Sequence, residues 1–311
     1  MKAYLLFEPG DITQLKLSDV EKPQPKENEV LIRTKAISLN PVDDKSRAGK
    51  GIFGRFKDKL PLILGWDISG IVETIGENVS DFKVGDEVFG MVNFPGIGNA
   101  YAEFVAAPAD QIALKPKNVS FEEAAAATLA ALTAYQILAS NVKSGDNVIL
   151  QAAAGGVGHF AVQIAKILGA EVTGITSTKN VDFVKSLGAD HIIDYSKTSF
   201  ENASGFDFAL DSLSGENLEK LSRTVRDGGT IYTLPSGASL DELTATLQKR
   251  DVKLGFHMVE SSGKDMRQIA EWLESGKIKP QVSQIFSFED LPKAHDSIAS
   301  GRTRGKMVIR L

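Results

Sequence analysis

Along the first 120 residues, apolar and polar positions alternate in short runs broken by Gly, Pro and Asn/Asp. KAYLLF (2–7), EVLIRTKAISL (29–39), SGIVETIG (69–76), GDEVFGMV (85–92) and AYAEFVAAP (100–108) read as strands. Irregular spacing, many turns and few long helical patterns predict a compact β-rich barrel or sandwich.

The pattern changes near residue 120. SFEEAAAATLAALTAYQIL (120–138) opens on Ser120 with Glu123 three residues later, the spacing of a capping box before an Ala-rich helix. An apolar run, NVILQA (147–152), precedes GGVGHFAVQIAKILG (155–169). In the latter, Val157, Phe160, Ala161, Ile164, Ala165 and Leu168 recur with the period of one helical face. EVTGIT (171–176), DHIIDY (190–195), FDFALD (206–211), TIYTLP (230–235) and VKLGF (252–256) follow as short strands. Helical segments such as VDFVKSLG (181–188) and NLEKLSRTVRDGG (217–229) stand between most of them. Six strands so punctuated predict a doubly wound parallel sheet. GKDMRQIAEWLESGKIKP (263–280) reads as an amphipathic helix ending near Gly276, and QVSQIFSFE (281–289) and KMVIRL (306–311) again look β-like. The simplest arrangement is an α/β chain in which a sheet domain, 121–264, interrupts a β-rich domain made from 1–120 and 265–311.

Composition narrows the chemistry. The chain has 311 residues, no cysteine, and 35 Lys+Arg against 40 Asp+Glu, a net charge of −5. Without a thiolate there are no disulfides, cysteine-held zinc sites, iron–sulfur clusters or thiol catalysis. Absence of cysteine fits a reducing compartment, and a cytoplasmic location is the expectation. The acidic balance argues against a nucleic-acid partner. No run approaches the roughly 20 apolar residues that span a bilayer. The start, MKAYLLFEPGD, has only five apolar residues together before Glu8, short for a secretory signal, so no membrane association is expected.

The sharpest motif is QAAAGGVG (151–158), directly after a strand and opening a helix. A dinucleotide site needs a tight turn, a backbone close to the pyrophosphate and a helix amino terminus aimed at it. Gly155, Gly156 and Gly158 leave room that a side chain would block, and Val157 lies among them. The string is A-x-x-G-x-x-G rather than G-x-G-x-x-G. At the end of the next strand, GITSTKN (174–180) has no carboxylate for a ribose diol. Ser177 offers a hydrogen bond, Lys179 a charge for a 2′-phosphate, and Tyr195 ends the third strand. This pattern favours NADPH. The ordinary alternative is a Lys179 that starts a solvated helix and a Tyr195 that caps a strand.

With these residues in view, the chain resembles the zinc-independent quinone oxidoreductases of the medium-chain dehydrogenase/reductase superfamily. The resemblance rests on AAAGGVGHFAVQIAK (152–166), NPVDDKSRAG (40–49), LGWDISGIV (64–72), VGDEVFG (84–90) and YAEF (101–104), in the right order over essentially the whole chain. NPVD followed by Lys two residues on, and WD in place of YD, are most similar to the branch of NADPH-dependent alkenal and enone oxidoreductases. The resemblance implies a GroES-like catalytic domain interrupted by a Rossmann domain, with the active site in the cleft between them, and a homodimer. Asn40 stands where zinc-dependent relatives have a Cys, and Trp66 and Asp67 stand where they have a His-Glu pair. His159, His191, His257 and His295 show no metal-ligand spacing, so no metal is expected.

Without a Lewis acid, hydride can still reach a carbon made electron-poor by conjugation, as in a quinone or an α,β-unsaturated carbonyl. The site then needs donors at the carbonyl oxygen and a proton source. The resemblance points to Lys45 as the group that holds the cofactor ribose or the substrate oxygen; the alternative is a solvated Lys in a charged stretch. It places Asn40 where it would bond ribose or carboxamide, or serve as a turn residue before Pro41. Asp43 would fix the loop or neutralise Lys45. Thr133 matches a position beside the nicotinamide, and Phe256, ending the sixth strand, faces the nicotinamide pocket or the core. KGIFGRFKDKLP (50–61), with Phe53, Phe56 and its basic residues, is expected to rim the cleft and hints at an apolar acceptor. Competing readings are an enoyl-thioester reductase of the same superfamily and a non-catalytic NADPH-binding regulator or RNA-binding protein.

Overall fold

The computed structural model describes residues 1–234 and 240–311. The chain separates into two compact units, one made of Met1–Leu132 with Val259–Leu311, the other of Thr133–Met258.

The first unit is antiparallel for most of its length. Strands β1 (Lys2–Leu6) and β2 (Leu15–Asp19) pair with each other, and the ten-residue β3 (Glu29–Ser38) leads into helix α1 (Pro41–Arg47). After β4 (Leu62–Ile63) come β5 (Asp67–Ile75), β6 (Glu87–Met91), β7 (Phe104–Pro108) and β8 (Ile112–Leu114). β1 sits between β2 and β4 in a small sheet, while β3 pairs with both β5 and β7. Alternating side chains of these strands, among them Val30, Ile32, Ile68, Val72, Val88, Val105 and Ile112, form its core.

The single helix predicted over 120–138 is two: α2 (Phe121–Ala126) and α3 (Leu129–Asn141). The capping box is present, with Ser120 Oγ accepting from Glu123 N and Glu123 Oε2 accepting from Ser120 N. At the break Thr128 Oγ1 donates back to Ala125 O, and Leu129 N donates to the Asp67 carboxylate. The division between the units falls inside α3.

The second unit alternates strand and helix: β9 (Asn147–Leu150), α4 (Gly158–Ile167), β10 (Glu171–Thr176), α5 (Val181–Ser186), β11 (His191–Asp194), β12 (Phe206–Asp211), α6 (Glu216–Thr224), β13 (Val225–Thr233), α7 (Asp241–Gln248) and β14 (Lys253–Phe256). The sheet is wholly parallel in the order β11-β10-β9-β12-β13-β14, so the chain reverses its direction of growth between β9 and β12. The helix expected to 229 stops at Thr224. Buried Val225 starts β13 opposite Phe206, and the Gly228-Gly229 pair carries the strand onward. The expected strand TIYTLP ends on Pro235, which lies outside the described residues.

The chain returns to the first unit with α8 (Gly263–Glu274), β15 (Val282–Ser287), α9 (Leu291–Ala299) and β16 (Lys306–Arg310). β16 pairs with β3 and completes the seven-stranded sheet, running β15-β16-β3-β5-β6-β8 with β7 on β3.

The β3–β5 ladder shifts register twice, and Gly70 lies beside the second shift. A Cβ there would stand 2.3 Å from Arg33 O and 2.7 Å from Ile32 Cγ2, both in the adjacent strand. Gly70→Ala should therefore destabilise the protein by about 1–3 kcal/mol, read as a lower urea midpoint with an unchanged slope.

Candidate active site

In the second unit the glycine loop begins where β9 ends. Gln151 N donates to Leu210 O (3.0 Å), and Ala152 then takes a left-handed φ of 49°. Gly155 N donates to Ala152 O (2.8 Å), and Ala153 N to Ile175 O (3.1 Å), which closes the loop against β10. A Cβ at Gly158 would lie 2.2 Å from Ala152 O, so only glycine lets α4 start this close to the loop. No acidic side chain stands in the first turn of α4 to offset its partial positive charge. His159, buried beneath, has Nδ1 2.9 Å from Gly155 O and braces the loop from the helix side. Gln151 is 2% exposed, and neither its amide nitrogen nor its oxygen has a hydrogen-bond partner. Spacing gave no hint of it: a polar group in a strand otherwise buried and apolar was the one available signal.

Ser177 and Lys179 follow β10, and Tyr195 follows β11. Tyr195 N donates to Thr176 O (3.1 Å), so these neighbouring strand ends stay in step. Lys179 and Tyr195 are exposed and Ser177 is half-buried. Asp194 ends β11 beside them, with no motif of the sequence to single it out. Its Oδ2 accepts from Thr178 Oγ1 (2.6 Å) and lies 3.6 Å from Lys197 Nζ, and these partners hold its carboxyl below the usual range. Gly155, Gly156, Val157, Gly158, Ser177, Lys179 and Tyr195 thus gather at the carboxyl ends of three adjacent strands. Phe256 ends β14, three strands from β9, and is 46% exposed rather than core. Thr133 is buried in α3.

The first unit holds Asn40, Asp43 and Lys45 on or before α1, a helix that the NPVDDKSR signals (Asn cap, Pro at the first position, Asp in the first turn) would have supported. Lys45 is exposed. Asn40 and Asp43 point the other way, Asn40 as the cap before Pro41 and Asp43 as the group that fixes the turn, each one of the two roles expected for it. Asn40 Nδ2 donates to Asp67 Oδ2 (2.7 Å), and its Oδ1 accepts from Lys306 Nζ, so the amide is engaged with the interior. Asp43 is fully buried, with Oδ2 accepting from Asn40 N (2.6 Å); it caps the helix and does not neutralise Lys45.

Lys306 Nζ also donates to Leu39 O (2.8 Å) and lies 3.8 Å from Asp67 Oδ2. Burial pushes the Lys306 ammonium down and the Asp67 carboxyl up; their mutual attraction opposes both shifts. Beside this cluster Tyr101 Oη and His295 Nε2 are 2.9 Å apart, both fully buried. Phe53 and Phe56 are also turned inward, packed edge-to-face on each other, so 50–61 offers solvent its basic residues and no aromatic face. Trp66 is buried, Nε1 donating to Gly96 O. Among the described residues no three His, Asp or Glu side chains are grouped to hold a metal ion.

Residues 26–117 match the family model of the alcohol dehydrogenase GroES-like domain, and residues 187–309 that of zinc-binding dehydrogenases. The chain is 38% identical to 2-methylene-furan-3-one reductase of Solanum lycopersicum, over 99% of its own length and 79% of the relative's. It is 33% identical to the chloroplastic NADPH-dependent alkenal/one oxidoreductase of Arabidopsis thaliana, with the same coverage. The solved quinone oxidoreductase of Coxiella burnetii superposes with a TM-score of 0.93 at 32% identity, covering 100% of this chain and 99% of that one.

Lys306→Met leaves the buried Asp67 carboxylate without its ammonium and should destabilise the protein by about 3–5 kcal/mol in urea unfolding. Gly158→Ala should abolish the fluorescence change on adding NADPH, because the loop must move off α4 to admit the methyl group.

Proposed function

We propose NADPH-dependent reduction of a quinone or activated alkene for this chain, which belongs to the medium-chain dehydrogenase/reductase superfamily and is an oxidoreductase. Its GroES-like and doubly wound parts are those of the quinone oxidoreductases. The observation that carries the cofactor half of this reading is the strand-end cluster: a loop that only glycine allows at 158, with an exposed Lys179 and no acid in 174–180. These residues fit a phosphorylated dinucleotide. Backbone amides and the start of α4 suit the pyrophosphate; Ser177, Lys179 and Tyr195 suit the 2′-phosphate.

When bound, NADPH supplies the hydride. The chain's own part is to polarise and protonate. Lys45, an exposed ammonium on a helix pinned from below, is the group assigned to the acceptor's carbonyl oxygen, where negative charge develops. Reaction without metal is part of this reading. At the positions where zinc relatives carry ligands, Asn40 and Asp67 bond each other and Trp66 bonds Gly96 O. A cytoplasmic homodimer completes it, the location supported by the absence of cysteine. No described helix is long and apolar enough to cross a membrane.

An NADPH-oxidation panel of 1,4-benzoquinone, short alkenals and ring enones, run beside NADH, tests the whole. Turnover should be confined to conjugated acceptors and should favour NADPH. Lys179→Ala should raise KM for NADPH about tenfold, the loss of roughly one charge-assisted contact, while leaving NADH kinetics unchanged. Lys45→Ala should lower kcat for an enone by about tenfold or more, within the range of a lost general acid. Unchanged kcat removes Lys45 from the chemistry.

A further inference from the structure

The buried cluster of the first unit contains two carboxyl groups, Asp43 and Asp67, and one ammonium, Lys306, all almost wholly removed from solvent. Two anions and one cation leave an excess negative charge in the interior, and such a group ordinarily takes up a proton. Hydrogen bonding decides which carboxyl that is. Asp67 accepts from Asn40 Nδ2 and from Leu129 N, and lies nearer the ammonium, all of which favour its anion. Asp43 accepts from Asn40 N at Oδ2; its Oδ1 has no hydrogen-bond partner of good geometry, and the group that interacts with the carboxyl beside it is the Tyr101 hydroxyl.

Tyr101 has one hydrogen to donate and two neighbours that would accept it. His295 is neutral, its pKa pushed down to about 3 by burial and by the Arg47 guanidinium. Its Nδ1 lies 4.0 Å from the Asp44 carboxylate, which Arg47 holds at 2.6 Å, so the tautomer with hydrogen on Nδ1 is favoured. Nε2 is then an acceptor, and at 2.9 Å the Tyr101 hydroxyl is its donor. An ionised Asp43 would compete for that same hydrogen; a protonated one instead donates to the Tyr101 oxygen, which serves Asp43 Oδ1, Tyr101 Oη and His295 Nε2 together, while His295 Nδ1 faces the Asp44 carboxylate at 4.0 Å without a hydrogen bond.

We propose that Asp43 carries a proton in the neutral enzyme and heads a donor chain, Asp43 to Tyr101 to His295, that fixes α1 against α9. Asp43 is thereby a positioning residue for Lys45, two residues along the same helix; this kinetic consequence rests on the function proposed above. Burial and the Asp67 charge raise Asp43 from 3.8 to about 7, against the opposing pull of Lys306 and its hydrogen bonds. A raised pKa means the folded state binds this proton more tightly than the unfolded state. The associated stability is complete below the unfolded value and is lost as pH rises from about 4 to about 7.

Infrared spectroscopy of the full chain, wild type against Asp43→Asn, tests the assignment directly. A protonated-carboxyl C=O band should be present in wild type at pH 6, absent at pH 9, and absent from Asp43→Asn at both. Tyr101→Phe, which removes the acceptor, should move the band's midpoint to lower pH and serves if Asp43→Asn folds poorly. In thermal melts wild type should lose stability relative to Asp43→Asn between pH 4 and 7. With NADPH and an enone, wild-type kcat should fall through the band's midpoint as pH rises, with KM little changed, and Asp43→Asn should lack that fall. No Asp43-dependent band at pH 6 overturns the protonation, and a kcat profile indifferent to Asp43→Asn overturns the positioning role. A wild type that shows the band but oxidises NADPH with no acceptor overturns the proposed reaction while the proton assignment stands.

Discussion

The Asp67 carboxylate gathers hydrogen bonds from stretches far apart in the chain. It stands at the first residue of β5, accepts from the Asn40 amide before α1 and from the first N–H of α3, and faces Lys306 on the last strand. A charge removed from water is tolerated only where donors surround it. Four segments therefore converge on one point, and the break between α2 and α3, the cap of α1 and the docking of β16 on β3 share a single electrostatic cause.

The second unit is organised by a steric constraint instead. Ala152 adopts a left-handed φ where glycine would be unstrained, and its carbonyl then occupies the space that a side chain at 158 would need. The A-x-x-G-x-x-G spacing follows from this: alanine is accepted at the first position, glycine alone at the last. The orphaned amide of Gln151 beside the loop marks where a folded interior lacks a polar partner.

Much of this was legible because periodicity reports burial. Each of the six strands of the parallel sheet was legible as a strand, since each is a short apolar run between turn residues. The glycine loop was legible for the same local reason. Errors arose where a residue's partner is remote in sequence. Nothing within 120–138 announces that Leu129 N will donate to Asp67, so one helix was expected where there are two. Propensity likewise carried the helix of 217–229 past Thr224, although Val225 belongs to the sheet core. Phe53 and Phe56 looked like an apolar rim and are instead core, because loop residues give no period from which to read a facing direction.

The candidate site divides along the same line. Sequence alone determined the glycine loop between strand and helix, the cation at 179, the missing acid after β10 and the family, all of which depend on neighbours within a few positions or on the order of motifs. Only the tertiary structure decided that Asn40 and Asp43 face inward while Lys45 faces solvent, and that Tyr101 and His295, 194 positions apart, share one hydrogen bond. The reason is physical. Backbone geometry and side-chain periodicity act over a turn or a strand, whereas the balance of charge in a buried cluster is set by whichever remote segments supply its counter-charge and its donors.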